Sequence, residues 1–190
     1  MNRRRFLAGV GAAGTVAFAG CAGPVGTTEL SDPEVDVESA ETHLTYRDNE
    51  GRIATTTVQY GPVRPDGLVR MRISIWHRKE TAISDLFVTF RNRAPTGLRP
   101  SVYVGGFSGE FPPIDYQIDD ESDGRLISVP DLSPVGEGTV TLELYVQAFD
   151  DWPLELTVDV AYGLDAGVLQ SYAVEGTTDL SIPNPESGES

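Results

Sequence analysis

The chain has 190 residues, 39% of them hydrophobic, and sets 29 acidic side chains against 14 basic ones for a formal net charge of −15 at pH 7. That length holds one domain able to bury roughly two thirds of its unfolded surface, and its single cysteine excludes an intramolecular disulfide, so a packed core must hold the fold. The charge excludes nucleic acid and anionic membrane surfaces as general partners, because binding them requires cations that displace condensed counterions.

In chain order, Arg3, Arg4 and Arg5 come first, followed by an apolar run over 6–20 that closes on the small pair Ala19 and Gly20 just before Cys21. This is the layout of an export leader. The run is too short for a spanning helix, which needs roughly 20 apolar residues, and its glycines weaken it further. The string "RRRFL", with Arg3, Arg4, Phe6 and Leu7, resembles the twin-arginine export signal, and "FAGC" resembles a lipobox, with Phe18 where an aliphatic residue is usual. The resemblance implies that residues 1–20 are removed after export of the folded protein. Cys21 then becomes the first residue and carries a thioether lipid that anchors it to the outer face of the cell membrane.

Three of the 14 basic residues lie in that leader, so the remaining chain sets 11 against 29 acids, a formal −18. Lys79 is its one lysine. This acid-rich, lysine-poor balance resembles proteins of extremely halophilic archaea, and the whole is similar to their twin-arginine lipoproteins. In molar salt the screening length falls to about 3 Å, which makes crowded carboxylates tolerable.

Residues 21–41 mix Gly, Pro, Thr and acids without an apolar period and read as a lipidated cysteine followed by a disordered tether. Residues 184–190 read as a disordered tail. Between them, 42–183 alternate with period two in short runs broken by Gly, Pro, Asn and Asp, which predicts about nine strands. These run over 42–47, 53–60, 68–77, 85–92, 101–107, 126–129, 139–149 and 154–162, with one or two more in 168–182. In "TVTLELYVQAF", Val140, Leu142, Leu144 and Val146 share one face and Thr141, Glu143, Tyr145 and Gln147 the other. "LELTVDVAY" repeats the pattern, and the turn "DDWP" suggests that the two form a hairpin. The predicted fold is all-β: an antiparallel two-sheet β-sandwich. The passage "ISVPDLSPVGEGTVTLELYVQ" is similar to immunoglobulin-like sandwiches.

Motifs that would carry chemistry are incomplete, and no cofactor is expected. A blue-copper site needs two His, a Cys and an axial Met, but Cys21 is spent in the leader and Met71 shares a strand with His77. His77 continues the inward parity of Val69, Met71, Ile73 and Ile75, as a hydrogen-bonded strand-end residue would, and His43 sits in the first predicted strand. "GGFSGE" around Ser108 lacks the second glycine of a nucleophile elbow, so its glycines mark a strand end or bulge. Asp119, Glu121 and Asp123 are spaced as in a calcium loop, yet Pro130 stands where the bidentate Glu belongs, leaving at most a weak cation site in a solvated turn.

Charge is segregated along the chain. Residues 64–99 hold eight basic residues against Asp66, Glu80 and Asp85, a net of +5, whereas 100–190 hold Arg125 alone against 18 acids, a net of −17. Arg70, Arg72, Trp76 and Arg78 share outward parity on one predicted strand, and Phe87, Arg91 and Arg93 do on the next. A hairpin of the two would place Trp76 opposite Phe87, Arg72 opposite Arg91 and Arg70 opposite Arg93, a face suited to anions. The competing expectation is a structural ladder in which Glu143, Glu155 or Asp159 neutralises these arginines. The reading that follows is a non-catalytic cell-surface binding or envelope-associated module, docking an acidic surface glycan or an envelope protein. The alternative is a small extracellular hydrolase or enzyme-accessory domain using carboxylates.

Overall fold

Period-two alternation becomes strand along the whole domain. The computed structural model describes residues 26–93, 100–108, 115–120, 124–132, 138–147, 153–167 and 169–183. They form twelve strands and, among the described residues, no helix: β1 (Gly26–Leu30), β2 (Glu34–Glu38), β3 (Glu41–Asp48), β4 (Gly51–Val63), β5 (Leu68–His77), β6 (Ala82–Asn92), β7 (Ser101–Ser108), β8 (Gln117–Asp120), β9 (Gly124–Val129), β10 (Thr139–Gln147), β11 (Leu154–Ala166) and β12 (Gln170–Ile182).

The count exceeds the expected nine because β1, β2 and β8 are short edge strands of four or five residues. Their backbones are recruited by a neighbour's ladder and they bury little, so no apolar period announces them. Two of them, β1 and β2, fall within the stretch 21–41 expected to be a disordered tether.

The strands make two sheets of six, ordered β1-β12-β11-β6-β9-β8 and β2-β3-β4-β5-β10-β7. Pairing is antiparallel except for β1 with β12. The inward residues of both sheets form one core: Leu86, Val88, Phe90, Leu156, Val158 and Val160 from the first face Leu44, Met71, Ile73, Ile75, Leu142 and Leu144 from the second, all buried. Fully burying such a side chain contributes about 1.5–3 kcal/mol, so this two-sheet sandwich is held by its packing.

Two hairpins inferred from adjacency in sequence do not form. β10 pairs with β5 and β7 in the second sheet, while β11 lies between β12 and β6 in the first, so the chain crosses between sheets there. β5 and β6 are likewise in different sheets. Period two assigns a side chain to a face, not a strand to a neighbour.

Two polar groups of the core meet across the sheets. Thr56 and Tyr162 share a 3.0 Å hydrogen bond across the sheets, and Tyr46 packs edge-on against Tyr162 at 6.4 Å between centroids. Burial pushes both phenols well above their ordinary range, so both remain neutral. His77 is buried at the end of β5, with Nδ1 2.9 Å from the Thr81 hydroxyl, as its inward parity implied.

Candidate functional site

The seven residues expected to make one anion-binding face are divided between the two sides of the molecule. Arg70, Arg72 and Trp76 lie on the outward face of β5 in the second sheet. Phe87 and Arg91 lie on the outward face of β6 in the first, with Arg93 just beyond it. The pairs Trp76 with Phe87, Arg72 with Arg91 and Arg70 with Arg93 do not exist. Like charges would have faced each other there, whereas the observed register sets Arg72 between Gln59 and Glu143 and Arg91 beside Thr157.

On the first sheet the ladder expectation is met. Arg91 pairs with Asp159, and Arg93 reaches Asp179 at 3.3 Å and Glu155 at 3.7 Å. The same carboxylates accept hydrogen bonds from Thr177, Thr157 and Ser181. Arg78 belongs to neither face. It lies 3.5 Å from Glu50 and 3.9 Å from Asp48, and its Nη2 donates to the Tyr172 hydroxyl at 3.5 Å, tying the β3–β4 turn to β12.

The second sheet is different. Its outward face carries a shallow cleft of about 530 Å³ lined by Glu41, Thr57, Gln59, Arg70, Arg72, Ser74, Thr141 and Glu143, a volume in the range of small-ligand sites. Arg70 is clasped by Glu143, which also accepts a 3.0 Å hydrogen bond from the Tyr145 hydroxyl. The Arg70 hydrogen bond is the main cause that holds Glu143 below the usual carboxylate range, against partial burial, with Tyr145 and the charge of Arg72 helping. Arg72 is exposed, and among the described residues no hydrogen bond or ion pair holds its guanidinium. Around it, Ser74 and Thr141 hydroxyls lie 2.9 Å apart, His43 meets Thr57 at 3.0 Å, and the Gln59 amide donates to Glu41 at 3.4 Å.

Trp76 shares this face, but its ring is covered by the Arg52 guanidinium, 4.1 Å from the centroid. Beside the cleft, Tyr145 lies over Gly105 of β7. A Cβ at Gly105 would meet the Tyr145 ring at 2.7 Å. The register slips at this point, with Glu143 opposite Gly106 and Leu144 opposite Val104, so the glycines near Ser108 mark a β-bulge as expected. Tyr103, opposite Tyr145, is 51% exposed.

Cleft residues Gln59, Thr57, Thr141 and Glu41, and Tyr145 beside the cleft, escape sequence reasoning because they come from strands distant in the chain. Outward parity was their only signal. Of the weak cation site, Asp119 lies on β8 opposite Leu126, while Glu121 and Asp123 lie outside the described residues, as do Cys21, Arg3, Arg4, Phe6 and Leu7. Asp120 is engaged by Arg125 at 2.9 Å, and among the described residues no cluster of three or more His, Cys, Asp or Glu is arranged to hold a metal ion. No helix among the described residues is long and apolar enough to cross a membrane.

Solved structures similar to this chain include the yeast delta-COP-I mu-homology domain complexed with a Dsl1 WxWxV peptide, at 14% identity and a TM-score of 0.38, covering 66% of this chain and 54% of that one. The chain therefore spans about half the length of that structure. AvmM, which catalyzes macrocyclization in alchivemycin A biosynthesis, is similar at 12% identity and a TM-score of 0.42, covering 77% and 98%. A cohesin module from a Clostridium perfringens family 33 glycoside hydrolase is similar at 11% and 0.41, covering 69% and 97%. At these values the likenesses carry no argument about activity. No curated protein matches the chain. Residues 27–184 match DUF8121, a domain of unknown function, and the chain belongs to that family.

Proposed function

We propose that this chain is a non-catalytic binding module held by a lipid on Cys21 at the outer face of the cell membrane, with residues 1–20 removed on export. It docks an anionic polymer of the cell envelope through the outward face of the second sheet. The observation that carries the reading is Arg72, which lines a polar cleft and, among the described residues, has no ion pair, in a protein where carboxylates far outnumber cations. An uncommitted guanidinium in such surroundings suits bidentate capture of an external carboxylate or similar anion.

The two carboxylates of the cleft favour binding over hydrolysis. Glu41 and Glu143 sit on strands separated by β4 and β5, about 14 Å apart at the backbone. Glu143 is kept ionised by Arg70 and Tyr145, the wrong state for a general acid.

Purified protein is expected to sediment with isolated envelopes in molar salt and to lose that binding once the envelope carboxylates are converted to neutral amides. Equal binding to native and amidated envelopes would contradict the reading. Mass spectrometry of the membrane-bound form is expected to find a chain beginning at a lipidated Cys21, and a retained leader on an unmodified thiol would remove the anchor.

A further inference from the structure

The second sheet presents its face, and not an edge, to a ligand, and this narrows what the ligand is. Around Arg72 the backbone groups of β4, β5 and β10 are spent in ladders with neighbours on both sides. An extended acidic peptide gains its affinity chiefly from backbone hydrogen bonds at a sheet edge, which this face does not provide. A densely sulfated or phosphorylated polymer needs several cations, but here Arg70 is neutralised by Glu143, which leaves Arg72 as the cleft's one remaining arginine. The cleft has room for one isolated negative charge.

What surrounds that charge is hydroxyl and amide. A hydroxyl has one donor and two acceptor lone pairs, so Ser74 and Thr141, bonded once to each other, keep further capacity pointing outward. Further along β10, beyond Glu143, Tyr145 is laid over Gly105 with its hydroxyl anchored on Glu143, and Tyr103 lies opposite it, half exposed. Aromatic faces laid along a surface are apolar platforms with a negative quadrupole, complementary to the slightly positive C–H face of a sugar ring.

Resting on the reading of this face as the binding surface, we propose that its ligand is a carboxylated saccharide. Arg72 holds the carboxylate, Gln59, Ser74 and Thr141 meet ring hydroxyls, and Tyr145 with Tyr103 forms the shelf on which a ring lies. Contact of this kind persists in molar salt, where a screening length of about 3 Å removes long-range attraction but leaves direct hydrogen bonds and stacking.

The test uses the purified protein in molar potassium chloride with three probes: an oligogalacturonate, its methyl ester, and an oligoglutamate of equal charge, each titrated calorimetrically. The oligogalacturonate is expected to bind, and the ester and the oligoglutamate to bind weaker by about tenfold or more. Arg72→Ala is expected to lose about tenfold, Arg72→Lys to recover only part of it, and Tyr103→Ala to weaken the saccharide severalfold with the melting temperature unchanged. Oligoglutamate binding as tightly as oligogalacturonate would overturn the saccharide inference while leaving anion docking intact. Wild-type binding of neither probe would overturn it too, with amidated envelopes deciding the broader reading separately. Unchanged saccharide binding by Arg72→Ala would overturn both.

Discussion

A phenol buried between two sheets needs space as well as a partner, and the space for Tyr46 is made by a glycine on the opposite sheet. A Cβ at Gly176 would meet the Tyr46 hydroxyl at 2.1 Å and Leu44 at 2.9 Å. Gly176→Ala is therefore expected to cost about 1–3 kcal/mol by overpacking, and adding Tyr46→Phe to recover part of it, as read by guanidinium denaturation. Asp48 makes the residue scale visible in pH. Its partial burial raises its pKa, but the Glu50 N–H, the Tyr172 hydroxyl at 3.0 Å and the charge of Arg78 together hold it below the ordinary range. Stability from this group is present above the unfolded value of about 4 and is lost as pH falls through the lower folded value. In Asp48→Asn the drop in melting temperature between neutral and acid pH is expected to be smaller than in wild type; an equal drop would contradict the assignment. Arg78 shows what a sequence hides at this scale: its outward parity was legible, but its partners Asp48 and Tyr172 are brought to it only by the fold.

Strands differ in how much they bury, and their variants should differ accordingly. Leu142, inward on central β10, is fully buried, whereas Val35 and Val37 of edge strand β2 are 54% and 69% exposed. Leu142→Ala is expected to cost about 2–5 kcal/mol and Val37→Thr less than about 0.5 kcal/mol, both measurable from denaturation midpoints. The alternation that makes Leu142 inward and Glu143 outward was readable directly, as were the two sheets it implies. Strand adjacency was not, because hydrophobic period says nothing about which ladder a strand joins, and the expected β5–β6 and β10–β11 hairpins fail for that reason. The cleft was half legible on the same ground. Arg70 and Arg72 could be placed on an outward face, but Gln59, Thr141 and Tyr145 become their neighbours only through register.

At the scale of the whole molecule, carboxylates set the conditions under which the fold is comfortable. Local ladders satisfy Asp159, Glu155 and Asp179 on the first sheet, yet the net charge of −15 remains and repels itself in dilute buffer. Raising potassium chloride from dilute to molar concentration is expected to raise the melting temperature by several degrees, because the excess repulsion is screened more than the close pairs are; a fall would mean that the ladders dominate. The two sheets also give the molecule two unlike faces: on one Arg91 and Arg93 are held in ion pairs, and on the other, among the described residues, Arg72 is not. The most direct measurement compares envelope binding of Arg72→Ala with that of Arg91→Ala at equal folded fraction. The account predicts a loss of about tenfold or more for Arg72→Ala and little change for Arg91→Ala, whereas equal losses in the two variants, or full binding by Arg72→Ala, would contradict it.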